Sequence, residues 1–281
     1  DGININSASG TPLYANLVLG GVVVDTITLP SSGTYNFSYL EAGNYTVQLS
    51  SVKGIIGNAI PATSIPLGWV NTGENIGAGV GNDGTVNGLL PVTIGISSVN
   101  NANFGINKLP FSDTLTVAEE ANPGGTINVT LDLSDFSGSD SLGVIDSLRI
   151  IAFPSNVTTI TIDGTPYNSG NFPVGGVSVA TNDLGNPLVP ILIDPIDGNI
   201  TVNISYKVED NAGFESLDTG YLKLPFFVNT TNAVNDENST WINTPVSGDV
   251  TTNDFDIEGN TQTFGSFLNP TATGTITTGS T

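Results

Sequence analysis

Apolar and polar residues alternate along much of this chain. In NITVNISYKVED, Ile200, Val202, Ile204, Tyr206 and Val208 interleave with Thr201, Asn203, Ser205 and Lys207, a period of two that predicts a strand with one face in a core and the other outward. The same spacing predicts a strand over TYNFSYL, with Tyr35, Phe37 and Tyr39 on one face, and another over NYTVQLS, with Tyr45, Val47 and Leu49 together. The intervening EAG reads as the turn of a hairpin, with Gly43 letting the chain reverse. Gly, Asn, Pro and β-branched residues interrupt every window long enough for an amphipathic helix. The pattern therefore predicts an all-β protein.

Two breaks divide the chain. NKLPFSD and FFVNTTNAVND each end a strand pattern in Pro- or Asn/Thr-rich sequence, which predicts domains at 1–109 and 110–228 and a partial unit at 229–281. The first two are each of a size that suits a β-sandwich, and the last is too short for one and reads as the opening half of another. Two such units in tandem, arranged end to end, are the expected architecture. The chain opens on DGININ and holds no methionine, so it reads as a mature or excised internal piece.

Composition then narrows the chemistry. There is no cysteine and no histidine, which removes disulfides, thiol nucleophiles, His-ligated zinc and a Ser-His-Asp triad from within this chain. Acids outnumber bases 26 to 5, for a formal charge of −21, and so oppose binding to nucleic acid or an anionic membrane surface. The charge is uneven: −3 over 1–109 (5 acids, 2 bases), −12 over 110–228 (15 and 3) and −6 over 229–281 (6 and none). No apolar run reaches the length of a membrane-spanning helix. Paired carboxylates leave glycoside hydrolysis as the one common hydrolytic scheme, but no acidic pair sits in a recognisable aromatic cleft, and the two tryptophans, Trp69 and Trp241, read as packing residues. The chain is expected not to be an enzyme.

The remaining candidate chemistry is calcium. NDFDIEGN sets Asp254, Asp256 and Glu258 at alternate positions before a glycine, and a hard cation that wants six to eight oxygens is served by carboxylates on a turning loop. An EF-hand is excluded, because the twelfth position counted from Asp254 is Gly265. An acidic, solvated turn is the competing reading. DFSGSDSLGVID offers a second candidate in Asp135, Asp140 and Asp146, read as one loop; Glu119, Glu120, Asp194, Asp197 and Asp210 are further acids to weigh against ordinary turns.

GTYNFSYLEAGNYTVQL at 33–49 resembles the core of the SdrD B-like and CnaB-like domains of bacterial surface proteins, and PLGWVNTGENIGAGVGNDGTVNGLLPVTI with NANFGI resembles their closing half. It departs from them in having neither an acidic calcium loop at its start nor a first-strand lysine for an isopeptide bond. Residues 111–228 resemble a bacterial cadherin-like or immunoglobulin-like repeat, and AVNDENSTWINTPVSGDVTTNDFDIEGN resembles the first strands of cadherin-like repeats in giant surface proteins of the Bacteroidetes. These resemblances imply Ig-like or prealbumin-like sandwiches and an extracellular adhesin of the gliding-motility, SprB type, exported by the type IX system. The expected partners are neighbouring repeats of the same chain, and either surface polysaccharide or the secretion or motility machinery. The expected function is that of a stalk or filament segment; the alternative is a carbohydrate-binding accessory module of a polysaccharide-degrading enzyme.

Overall fold

A computed structural model describes residues 11–77 and 84–228, then 231, 232, 234, 238–249 and 252–256. It is all-β, with a single short 3-10 helix, Leu133–Asp135, among the described residues. Two separate apolar clusters form its cores, one drawn from residues 13–106 and the other from residues 131–226.

The first sandwich contains β1 (Tyr14–Leu19), β2 (Val22–Thr28), β3 (Gly43–Ser50), β4 (Trp69–Ile76), β5 (Leu89–Ile94) and β6 (Ala102–Lys108). One sheet runs β2-β1-β3-β5, all antiparallel, and the other is the pair β4-β6. Ala15, Leu17, Tyr45, Val47, Leu49, Leu90 and Val92 from the first sheet close on Trp69 and Ile106 from the second. Trp69 is thus a core residue.

The outward face of the four-stranded sheet is covered over part of its area, although Asn44, Pro91 and Thr93 on it remain exposed. Asn16 and Gln48 are fully buried there under residues 51–64. The Asn16 amide donates to Gln48 Oε1 (3.0 Å) and to the Val52 carbonyl (3.1 Å), and its oxygen accepts from Gly54 N and the Thr26 hydroxyl. Gln48 donates to the Pro61 carbonyl and Thr63 Oγ1. A polar pattern that reads as solvent-facing is a satisfied interior network, which is what permits its burial.

TYNFSYL departs from expectation. Both edges of β3 are occupied, by β1 and β5, so the predicted hairpin partner has no edge to join. Residues 35–40 run without a ladder: Tyr35, Phe37 and Leu40 still pack on the core, whereas Tyr39 takes φ +59° and points wholly into solvent. Gly43 is likewise not a reversal point. It opens β3, and a Cβ there would touch the Tyr45 ring at 3.4 Å.

The second sandwich is larger. Its opening strands are β7 (Phe111–Ser112), β8 (Thr114–Thr116), β9 (Glu120–Asn122), β10 (Val129–Thr130) and β11 (Gly138–Ser139). There follow β12 (Ile145–Ile150), β13 (Val157–Ile162), β14 (Thr165–Tyr167), β15 (Val177–Ala180), β16 (Ile191–Pro195), β17 (Ile200–Asp210) and β18 (Gly220–Val228). One sheet orders β15-β12-β17-β18-β8, with β9 also on β18; the facing sheet orders β10-β16-β13-β14, and β7 pairs with β11. The alternation in β17 is realised: Val202, Ile204, Tyr206 and Val208 are fully buried against Leu148, Ile160, Ile193 and Leu222. The Tyr206 hydroxyl shares its proton between the carbonyls of Asp113 (2.9 Å) and Ser137 (3.0 Å), and its ring meets Phe136 edge-on at 5.4 Å. Burial, its largest cause, raises the Tyr206 pKa. Beyond Val228, the short strands β19 (Thr231–Asn232) and β20 (Phe255–Asp256) pair antiparallel.

Candidate functional sites

Of the carboxylates singled out for calcium, those of the second sandwich are distributed over different elements. Asp254 accepts a hydrogen bond from Val234 N at 2.8 Å just before β20, so one of its oxygens fixes the approach of two chain segments. The Asp256 side chain and Glu258 lie outside the described residues. Asp135, Asp140 and Asp146, expected on one loop, stand on the 3-10 helix, after β11 and in β12 respectively. The Asp135 pKa is raised by burial and then by the Asp132 charge. Among the described residues no group of three carboxylates comes together to hold a metal.

Two of these acids instead build the junction between the sandwiches. Asp210, at the end of β17, is 1% exposed. Its Oδ1 accepts from Ala212 N and Phe214 N, both at 2.9 Å, closing the β17–β18 turn, and its Oδ2 accepts from Asn107 Nδ2 of β6 at 2.7 Å. Asp140 Oδ1 holds Leu142 N at 2.9 Å, and the Leu142 side chain packs against the first core. The short connection from β6 to β7 is pinned as well, with Leu109 N donating to the Gly68 carbonyl at 2.8 Å. The local signal for Asp210 was legible, since D-N-A-G is an Asp-initiated turn; its partner 103 residues away was not.

The first sandwich also carries a cleft of about 400 Å³ where residues 32–40 run without a ladder. Tyr35, Phe37, Leu40 and Tyr45 form its apolar wall, and Asn36, Asn100, Asn101 and Asn103 stand among the residues around it. None of its lining side chains is charged, and Tyr35 and Tyr45 are its titratable groups. Tyr35 donates its hydroxyl to the Ala102 carbonyl, and burial pushes its pKa up to about 12. This lining suits contact with a neutral ligand that offers both hydroxyls and an apolar face; at neutral pH Tyr35 holds its proton.

Glu74 carried no signal in the sequence. A bulge between Asn71 and Gly73 shifts the face of β4, and Glu74 becomes 1% exposed. Its Oε1 accepts from Asn87 N (2.8 Å) and Gly88 N (3.2 Å), while its Oε2 and the nearby Asn71 Oδ1 are buried without a partner.

The chain matches no protein-family model and no curated protein. Among solved structures it is similar to the fibronectin(III)-like modules of Clostridium thermocellum CbhA, at 14% identity over 78% of this chain and 80% of that chain, with a TM-score of 0.21. So low a score leaves function to be argued from the chain itself.

Proposed function

We propose that this chain is a structural segment, a stalk or filament piece, of a secreted bacterial cell-surface adhesin serving adhesion or gliding, and that it has no catalytic activity of its own. The observation that carries the reading is the junction. A buried Asn107–Asp210 hydrogen bond, the Leu142 side chain set on the first core and a short pinned connection fix one sandwich against the next, which is what a spacer needs and a freely jointed pair of modules lacks. The likeness of residues 33–49 and 233–260 to surface-protein repeats supports the extracellular setting. Because the sequence has no cysteine, one cysteine introduced on each sandwich gives a clean spin-label pair. A single narrow distance distribution is expected, broadened by Asp210→Ala; a broad distribution in the unmutated chain would refute the spacer reading. Calcium belongs to the same proposal, with Asp254, Asp256 and Glu258 as ligands in a complete repeat. Added calcium should then raise the Tm of such a repeat by mass action, and Asp254→Asn with Asp256→Asn should remove the gain.

The cleft favours a second reading, a carbohydrate-binding accessory module. Aromatic and amide side chains without a net charge are suited to a neutral sugar. A glycan array separates the two: a spacer is silent, whereas a binding module gives saturable signal that Tyr35→Ala or Phe37→Ala abolishes.

A further inference from the structure

In the second sandwich the strands by which the chain enters and leaves lie side by side and run the same way. β8 pairs with β18 in parallel over Thr114–Thr116 against Tyr221–Lys223, and β9 does so over Glu120–Asn122 against Phe226–Val228. Further bonds fill the series: Ser112 N to the Asp218 carboxylate (3.2 Å), Tyr221 N to Thr114 Oγ1 (3.2 Å) and Val117 N to the Lys223 carbonyl (3.0 Å). Residues 112–117 and 120–122 are thus laced to 218–223 and 226–228, with one gap between the two runs.

Parallel lacing of terminal strands has a mechanical meaning. The chain enters at the 112 end and leaves at the 228 end, so tension between the two ends slides one strand along the other and loads every rung at once. Terminal strands laced in the antiparallel sense would be opened from one end, rung by rung. The one gap falls where it does least harm. The Lys223 carbonyl faces β8 and β9, so Pro225, two residues on, turns toward them a nitrogen with no hydrogen to give, opposite the break between β8 and β9. Gly220 permits the close approach at the entry, since a Cβ there would stand 2.4 Å from the Asp113 carbonyl.

The first sandwich is wired differently. β1 lies between β2 and β3, and β6 pairs with β4 in the other sheet. Among the described residues no ladder joins β1 to β6, so tension passes between them through the apolar core, which is non-directional.

We infer that the second sandwich is a mechanical clamp, in which the parallel β8–β9/β18 seam bears tension along the chain in shear and outlasts the first sandwich under load. The inference stands on strand topology and holds whatever the chain adheres to. Two terminal cysteines in this otherwise cysteine-free sequence allow the full chain to be held in optical tweezers. Ten glycines inserted at the exposed 168–171 turn mark the second unit by lengthening its release by about 35 Å. The marked unit is expected to release last. Forced unfolding follows the unfolding rate, and Val117→Pro, which removes one rung at the sheet edge, should speed release at fixed force about fivefold, the weight of one backbone hydrogen bond. Thr114→Val is the milder companion variant and should act in the same direction. Val179→Ala in β15, at the opposite edge of the same sheet, should change that rate by less than about twofold, because a residue outside the seam weakens the fold without weakening its mechanical barrier. Release of the marked unit first, or equal acceleration by the seam variants and Val179→Ala, overturns the proposal.

Discussion

The two sandwiches use the same alternating pattern and close it differently. The second surrounds its core with a five-strand path that β9 extends, facing a four-stranded sheet, and its core cluster holds 18 buried apolar residues among those described against 11 in the first. The first faces four strands with two, leaves residues 32–40 out of any ladder and keeps a cleft at that margin. Buried oxygens without partners occur in both, Glu74 Oε2 and Asn71 Oδ1 in the first and Asp194 Oδ1 and Thr181 Oγ1 in the second. Period two thus specifies which side chains turn inward; whether the sandwich is sealed depends on how many strands find edges to join.

The sharpest way to separate the two is to hollow one core. Phe136 is fully buried against Tyr206, so Phe136→Ala should cost the second sandwich about 3–5 kcal/mol. In urea the second transition should move and the first should hold its midpoint; one merged transition that shifts as a whole would show that the sandwiches fold as a single unit.

The junction tests how far they are independent. Asp210→Ala removes the acceptor of the β17–β18 turn and strands the buried Asn107 amide, a loss of about 1–3 kcal/mol. Combined with Asn107→Ala the losses should fall short of additive by at least about 0.5 kcal/mol; strict additivity would mean that the 2.7 Å bond contributes nothing to holding the sandwiches together.

In the first sandwich the imperfections themselves are targets. Glu74→Gln keeps an oxygen for Asn87 N and Gly88 N while replacing the unpartnered carboxylate oxygen with an amide, and should stabilise the first sandwich by about 1 kcal/mol, read from the first urea transition. A fall in stability would mean that the carboxylate has a partner in solution.

The smallest effect at neutral pH is that of Tyr35→Phe, which deletes the bond to the Ala102 carbonyl for about 1 kcal/mol or less. Its value lies in alkali. The folded-state pKa of Tyr35 is about 12, above the ordinary value near 10. Below pH 10 both states keep the proton and the contribution is intact. Between about pH 10 and 12 the unfolded chain ionises first, so stability falls as pH rises. Urea midpoints of the first transition at pH 8 and pH 11 should converge in the Tyr35→Phe chain relative to the unmutated one.

Much of the fold could be read from the sequence, because strands such as β17 and β3 write their burial in a period of two and the β6–β7 break is marked by Pro110. What could not be read is non-local. Nothing near TYNFSYL reveals that both edges of β3 are taken, and nothing near Asn16 and Gln48 reveals that residues 51–64 cover them. Glu74 was hidden by a bulge that shifts the face of its strand, and Asp210 and Asp140 read as metal candidates because an acidic turn looks the same in sequence whether it binds an ion, a backbone amide or a neighbouring domain. The cleft had no signature at all, since it arises where a predicted strand fails to pair.

The bond between Asn107 and Asp210 also orders events in time. A chain made from its N-terminus completes β6 and can close the first sandwich on local material while Asn107 still waits for a partner 103 residues downstream. That partner is competent only once the β17–β18 turn has formed, because the same carboxylate receives Ala212 N and Phe214 N. Contacts of such separation are slow to form. The seam between the sandwiches is therefore the last part of this pair to set, and it sets only against a second sandwich whose closing turn is already in place.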